Sequence, residues 1–190
     1  MAEARLPTPS QTVGPFFNIG LPEQRDDLVD PGAEGAITVH GVLYDGEGAP
    51  VVDALVESWQ ASPSGRYDHP DDTREDLPLR EGFRGTGRVE TDPQDGSFEL
   101  VTLKPGPVPA PGGGQQAPHI AVSVLARGLL KRLVTRIYFG DEAEANERDP
   151  VLATVEADRR DTLVATVEGD ASYRFDIRLQ GADETVFFDV

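Results

Sequence analysis

The sequence of 190 residues contains no cysteine, one methionine and one tryptophan. Without cysteine the chain can form neither a disulfide bond nor a thiolate metal site, which fits a reducing compartment. No stretch approaches the ~18 consecutive apolar residues of a membrane span. Residues 1–7 carry charges and lack the apolar run of a secretory signal. We therefore expect a cytoplasmic protein that does not enter the membrane.

Positive charge is also scarce, because 17 lysines and arginines face 34 aspartates and glutamates, for a formal net charge of -17. Nucleic-acid binding needs clustered basic side chains that release counterions from phosphates, so the composition argues against a nucleic-acid partner. Four basic residues nevertheless stand close together: Arg127, Lys131, Arg132 and Arg136. Salt screens the overall charge beyond roughly 8 Å, so such a patch can still attract an anion. For any single one of the four, neutralising nearby acidic surface is the simpler role.

Short β-type runs separated by turn signals dominate the chain from Ala36 onward. The predicted strands are residues 37–44, 51–59, 85–91, 96–102, 119–125, 133–139, 162–167 and 173–179. Only residues 142–148 and 150–154 favour short helical segments. Strands at this spacing predict an all-β fold, namely a two-sheet β-sandwich that forms a single domain over residues 36–190.

Residues 1–35 are rich in proline and glycine and predict an extended N-terminal arm. Phe16 and Phe17 in this arm can each bury about 150–250 Å², so they should dock on the chain's own sandwich or in a neighbouring cleft. Two long loops are expected, a solvated one over residues 68–82 and a flexible one over residues 105–118. A glycine triplet in the second loop could hold an anion through its N–H groups. Because no helix follows it, an ordinary surface loop is the preferred interpretation.

Three short motifs recur in the same order as the motifs of a known metal site. They are Gly65-Arg66-Tyr67, Gly106-Pro107-Val108-Pro109 and Pro118-His119-Ile120-Ala121. With residues 40–67 and 132–139, they resemble the intradiol ring-cleavage dioxygenases. Those enzymes hold ferric iron with tyrosines from a Gly-x-Tyr motif and a Gly-Pro-Tyr-Pro turn, and with the histidines of a His-x-His strand. We name the corresponding positions Tyr67, Val108, His119 and Ala121 the vestigial site.

Only Tyr67 and His119 of the vestigial site can donate a lone pair to a metal. Neither an isopropyl nor a methyl group binds Fe(III), and two protein donors rarely make a permanent site. We therefore predict that this chain holds no metal, that it has no catalytic residue of its own, and that Tyr67 and His119 are packed or hydrogen-bonded. His69 and His40 are predicted to be solvent-facing and structural, respectively.

Within the family, the segment 8–17 combined with a depleted site is similar to the iron-free alpha chain of a two-chain enzyme. The resemblance implies a homologous beta chain that binds Fe(III), an alpha–beta hetero-oligomer, and cleavage of a small aromatic acid with O2. It also implies that Thr12, Gly14, Pro15 and Arg132 line the partner's substrate cleft. Arg132 would meet a substrate carboxylate through two parallel hydrogen bonds, although it could instead pair with an acidic side chain.

Two other functions compete with this one. The first is a non-enzymatic β-sandwich binding module derived from the same fold, because a fold does not by itself fix an activity. The second is a self-sufficient intradiol enzyme with substitute iron ligands, which Val108 and Ala121 disfavour.

Overall fold

The computed structural model describes residues 9–14, 16 and 27–189. Strands dominate this part of the chain, with one short α-helix and two 3₁₀ segments, Leu152–Thr154 and Ala157–Leu163. The strands and the helix are β1 (Ala36–Tyr44), β2 (Leu55–Trp59), β3 (Thr86–Glu90), β4 (Ser97–Leu103), β5 (Val108–Pro109), β6 (Gln115–Gln116), β7 (His119–Leu125), β8 (Leu133–Phe139), α1 (Ala143–Arg148), β9 (Val164–Val167), β10 (Ser172–Arg174) and β11 (Ile177–Arg178).

The strands form two packed layers, which confirms the predicted β-sandwich. One layer has the order β3-β2-β7-β8 with antiparallel neighbours. In the other layer β1 pairs with β4 on one side and with β10 and β11 on its other side. Strand β9 joins the two layers, since its first half pairs with β8 and its second half with β10. The hairpin of β5 and β6 stands apart from both layers.

The core lies between the layers and follows from the alternation of side chains along each strand. In β1 every second residue is buried, including Val39 and Leu43. In β7 the residues Ile120, Val122 and Val124 enter the same hydrophobic cluster. The residues between them in β7 therefore face away from the core. This places Ala121 and Ser123 on the outer face of the sheet, where a site can form.

The predicted strand over residues 162–167 begins too early, because residues up to Leu163 form a 3₁₀ segment. The Thr162 hydroxyl donates a hydrogen bond to the Arg159 carbonyl at 2.7 Å. Such local side-chain bonds compete with the sheet ladder, and the strand starts only at Val164. The predicted N-terminal boundary was therefore wrong.

The predicted strand over residues 173–179 is divided into β10 and β11. At the break, the Asp176 carboxylate accepts the hydrogen bond of the Val42 N–H at 3.1 Å, in place of a backbone carbonyl. The Phe175 carbonyl lies so close to Gly41 that a Cβ there would sit 1.8 Å from its oxygen. Gly41 therefore permits the interruption that the alternation pattern could not reveal.

The segment 105–118 is more ordered than the flexible loop that the sequence predicts. It contains the β5–β6 hairpin, in which Val108 faces Gln116 and Pro109 faces Gln115. The glycines at positions 112, 113 and 114 turn the chain with φ values of +86°, +103° and +85°. Side chains rarely adopt such left-handed angles, so the turn itself explains the glycine triplet.

The segment 68–82 is a loop, as predicted, and an acidic side chain anchors it. Asp72 accepts a hydrogen bond from the Tyr67 N–H at 2.8 Å and forms an ion pair with Arg74 at 2.5 Å. Hydrogen bonds from Arg74 hold the pKa of the Asp72 carboxyl well below its usual range. The loop is therefore fixed next to Tyr67.

The described part of the N-terminal arm, residues 9–14, 16 and 27–35, has no regular strand or helix. Thr12 Oγ1 accepts a hydrogen bond from the Gly128 N–H at 2.8 Å. The Phe16 side chain is 73% exposed, while Phe17 and Pro15 lie outside the described residues. Leu28, near the predicted end of the arm, belongs to the hydrophobic core. The division of the chain after residue 35 stays a prediction.

Membrane insertion through a helix finds no support in the described ranges, where every helix is too short or too polar to cross a bilayer.

Candidate functional site

Two of the four positions of the vestigial site, Tyr67 and Val108, are brought together by two close backbone crossings. A Cβ at Gly65 would lie 2.2 Å from the Pro107 carbonyl oxygen, and one at Gly106 would lie 2.4 Å from the Pro63 carbonyl oxygen. Both motif glycines are thus needed so that the turn bearing Tyr67 can lie against the turn bearing Val108. The motif geometry persists although half of the donors are absent.

Strand β7 supplies the other two positions. Ala121 pairs with Trp59 of β2 in the sheet register. The Trp59 indole stacks on the Tyr67 ring with centroids 5.6 Å apart. Tyr67 and Ala121 therefore both adjoin Trp59, while Val108 is 3% exposed and His119 is 6% exposed. The structure brings the sequence-predicted positions to one region of the molecule.

Tyr67 is a neutral, packed phenol. Burial raises the pKa of its hydroxyl, and the nearby Arg136 and Arg74 oppose that rise. Its hydroxyl makes no hydrogen bond within the described residues. Of the two predicted roles, packing is therefore the one observed.

His119 is buried and neutral. Its Nδ1 lies 2.7 Å from the Ala117 carbonyl oxygen, which can only accept, so Nδ1 carries the proton. Burial, together with the positive charge of Arg136, lowers the pKa of the imidazole to about 4. The tilted Tyr138 ring lies 5.7 Å from the imidazole ring. The predicted packed and hydrogen-bonded role of His119 is confirmed.

A polar network that the sequence does not reveal borders the vestigial site. Arg136 pairs with Ala121 across the β7–β8 ladder, and its Nη1 donates to Gln116 Oε1 at 2.6 Å and to the Tyr138 hydroxyl at 3.4 Å. Tyr138 in turn donates to Asp149 Oδ1 at 3.2 Å. Burial raises the pKa of Tyr138 to about 12. The Arg136 guanidinium is therefore held beside Ala121, the position at which the vestigial site lacks a donor atom.

Asp149 anchors the far end of this network. Its side chain is fully buried and also accepts the N–H groups of Ala117, Val151 and Leu152 at 2.7–2.8 Å. A carboxylate with this many hydrogen bonds is well compensated for its loss of water. The only sequence signal for it was its place next to the predicted helical segment over residues 150–154.

The residues present do not fit a ferric iron. No cluster of three or more histidine, cysteine, aspartate or glutamate side chains able to hold a metal exists within the described ranges. Val108 and Ala121 offer no donor atom, and Arg136 adds a positive charge. His69, 46% exposed, and His40, 3.2 Å from Glu168, do not take their place.

Arg132 lies in a groove of about 460 Å³ on the outer face of the β3-β2-β7-β8 layer. The groove also contains Trp59, Ala121, Ser123 and Val134, and the Glu57–Arg88 ion pair borders it. Because Trp59 and Ala121 belong to the groove, it adjoins the vestigial site. Arg132 forms no ion pair with any residue that the structure describes.

The neighbouring basic residues are already paired. Arg127 contacts Asp53 at 2.8 Å, and Lys131 contacts Asp189 at 2.7 Å. For these two residues the simpler role, neutralising acidic surface, is the one observed. Thr12 contacts Gly128, so the arm and Arg132 both adjoin the loop between β7 and β8. Gly14 is described with the arm, whereas Pro15 lies outside the described residues.

Comparison with known proteins identifies the class. The sequence matches the Dioxygenase family over residues 13–181. The dioxygenase domain of a dioxygenase–carbohydrate-binding fusion from Streptomyces sp. SirexAA-E has a similar structure, with a TM-score of 0.58 and 29% identity, covering 93% of this chain and 99% of that chain. The chain belongs to the intradiol ring-cleavage dioxygenase family, whose enzymes use iron.

Two relatives indicate which enzyme of the family this chain resembles. The protocatechuate 3,4-dioxygenase alpha chain of Pseudomonas putida is 43% identical over 198 residues, covering 96% of both chains. The protocatechuate 3,4-dioxygenase beta chain of Burkholderia cepacia is 39% identical over 159 residues, covering 78% of this chain and 66% of that chain. The similarity thus extends along nearly the whole alpha chain and, over a shorter stretch, to a beta chain.

Proposed function

We propose that this chain is the alpha subunit of protocatechuate 3,4-dioxygenase. In the assembled enzyme a beta chain holds the Fe(III), and protocatechuate is cleaved with O2 to 3-carboxy-cis,cis-muconate. The observation that carries the proposal is a site in which the Gly-x-Tyr turn and the Gly-Pro-x-Pro turn cross closely at Gly65 and Gly106, but in which Val108 and Ala121 stand at two donor positions. The cysteine-free composition fits action in the cytoplasm.

The partner on this account is a homologous beta chain. A beta chain of 39% identity to this chain shares its fold, so two sandwiches of one type can form a paired assembly. Three large apolar side chains are exposed near the β7–β8 loop and the arm: Val13 at 42%, Phe16 at 73% and Leu130 at 65%. The arm and the loop meet at the Thr12–Gly128 hydrogen bond, and exposed apolar side chains on such adjoining segments are typical of a surface that a partner covers.

The arm and Arg132 supply the substrate contact. Thr12, Gly14 and Pro15 shape the partner's cleft, and the Arg132 guanidinium meets the carboxylate of protocatechuate. In support, Thr12 is fastened to the β7–β8 loop, and Arg132 has no ion pair within the described residues. An arginine fork binds a carboxylate through two parallel hydrogen bonds, which gives orientation as well as charge.

The test is Arg132→Ala in the assembled enzyme, with protocatechuate and catechol as substrates. We expect the loss of a charged hydrogen bond to cost roughly 1.5–3 kcal/mol of transition-state stabilisation. The value of kcat/KM for protocatechuate should therefore fall about ten- to a hundredfold. Catechol lacks the carboxylate, so its turnover should change much less.

Arg127→Ala is the matched control, because Arg127 adjoins the same loop and is paired with Asp53. Equal losses for both substrates in Arg132→Ala, with iron content and assembly intact, would remove Arg132 from the substrate site. A loss selective for protocatechuate in Arg127→Ala alone would assign the carboxylate contact to Arg127. A chain that never binds a beta chain would instead favour a binding module.

A further inference from the structure

The outer face of the sheet carries a fixed positive charge at the vestigial site. Arg136 lies opposite Ala121 in the β7–β8 register, on the face that also bears Trp59 and Val134. Its Nη1 donates at 2.6 Å to Gln116, the side chain of the β5–β6 hairpin that faces Val108. The guanidinium thus adjoins strand β7 and the β5–β6 hairpin, which together bear three positions of the vestigial site, namely Val108, His119 and Ala121.

The charge also reaches the two donors that remain. Arg136 opposes the burial-driven rise in the pKa of Tyr67, and it strengthens the burial-driven fall in the pKa of His119. Both effects have the sign expected of a nearby cation, which favours phenolate and disfavours imidazolium. A bound metal ion acts on a tyrosine and a histidine with the same sign.

The guanidinium cannot easily move away. It donates hydrogen bonds to Gln116 and Tyr138, and the Tyr138 hydroxyl donates in turn to the buried Asp149. Among the residues that the structure describes, Arg136 contacts no carboxylate directly, and its link to a carboxylate runs through Tyr138 to Asp149. Removing a partner from this part-buried network would leave a polar group unsatisfied, so the present arrangement is favoured.

We infer that Arg136 takes the place of the metal's charge in the vestigial site and excludes a ferric ion from it. Restoring the two absent donors is therefore not sufficient for iron binding, because Fe(III) would lie beside a fixed guanidinium. The inference rests on membership of the family, and its test uses the beta chain proposed above but not the proposed substrate. It is tested without measuring turnover, so its failure leaves the proposed function in place.

The experiment compares two variants of the full chain, each assembled with its beta chain and supplied with ferric citrate. The double variant is Val108→Tyr with Ala121→His, and the triple variant adds Arg136→Gln. We expect one iron per alpha–beta pair in the wild type and the double variant, and two in the triple variant. A matched form that carries Arg136→Lys in place of Arg136→Gln keeps the charge and should retain one iron.

Two results would overturn the inference. One is a double variant that binds the second iron as tightly as the triple variant does. The other is a triple variant that folds and assembles normally, by circular dichroism and sedimentation, yet takes no second iron.

A second measurement uses single substitutions in case the multiple variants do not fold. In Arg136→Gln, the NMR titration of His119 should move upward from about 4, because the nearby cation is gone. Arg148→Gln removes an exposed arginine of α1 and should leave the titration unchanged. A His119 pKa that is the same in Arg136→Gln and the wild type would show that this charge does not act on the site.

Discussion

The indole ring of Trp59 stacks on the phenol ring of Tyr67, with centroids 5.6 Å apart and planes inclined by 14°. An aromatic pair in this arrangement is stabilising beyond the area that it buries. Tyr67 occupies the position of a metal-binding tyrosine, yet its ring serves as packing surface and its hydroxyl is neutral. In this site the stacked rings of Trp59 and Tyr67 therefore have a structural role.

Replacing Tyr67 by Phe should have little effect. The ring and its contact with Trp59 remain, and the lost hydroxyl makes no hydrogen bond within the described residues. We expect a loss of less than about 1 kcal/mol in the free energy of unfolding, and unchanged turnover of the assembled enzyme. Urea unfolding and steady-state kinetics measure both. Loss of iron from the enzyme in this variant would contradict a packing role.

Replacing Asp149 by Ala should be strongly destabilising. The buried carboxylate accepts hydrogen bonds from Tyr138 and from three backbone N–H groups, all of which would lose their partner. We expect a loss of about 3 kcal/mol, seen as a lower urea midpoint at constant slope. Asp149→Asn keeps one acceptor oxygen and should cost less. Equal stability of Asp149→Ala and the wild type would mean that the network contributes nothing.

His119 should make stability depend on pH between about 6.5 and 4. Its folded pKa, about 4, lies below the usual value of 6.5, so the unfolded chain binds the proton more readily. Stability is therefore complete above pH 6.5 and falls as the pH drops toward 4, by about 3 kcal/mol in all.

His119→Gln should flatten the stability profile in this window. Asp72 also has a depressed pKa, but its stabilisation is lost only below the usual carboxyl value of about 3.9. Its effect therefore falls outside the window. An identical slope in His119→Gln and the wild type would show that another group is responsible.

Phe16→Ser should weaken association with the beta chain. The side chain is 73% exposed in this chain, so the substitution should leave the chain's own stability nearly unchanged. If the partner covers the ring, the loss of buried apolar area should raise the dissociation constant at least about tenfold. Analytical ultracentrifugation of the two purified chains measures it. Unaltered assembly in this variant would place Phe16 outside the interface.

Local pattern was enough to predict some elements of the fold. Strands β7 and β8 have the predicted bounds, because apolar residues alternate along β7, β-branched and aromatic residues dominate β8, and clear turn signals bracket both strands. The break between β10 and β11 was missed because it depends on Gly41 and Asp176 at distant positions. The hairpin of β5 and β6 was missed because each of its strands has only two residues.

The site also has features that local sequence patterns predict and features that only the three-dimensional structure reveals. Motif spacing was sufficient to name Tyr67, Val108, His119 and Ala121, since the motif glycines fix local backbone geometry. The position of Arg136 opposite Ala121 is set by the register between two strands, which the spacing of residues along the chain does not determine. Its role beside the vestigial site could therefore be recognised only in three dimensions.

The most direct test of the account is the iron content of this chain alone and after mixing with its beta chain. The purified chain should contain no stoichiometric iron and show no tyrosinate-to-iron absorption band, because Val108 and Ala121 provide no donor atoms. The assembled pair should contain one iron and cleave protocatechuate. Stoichiometric iron with that absorption band in the isolated chain would contradict the central claim.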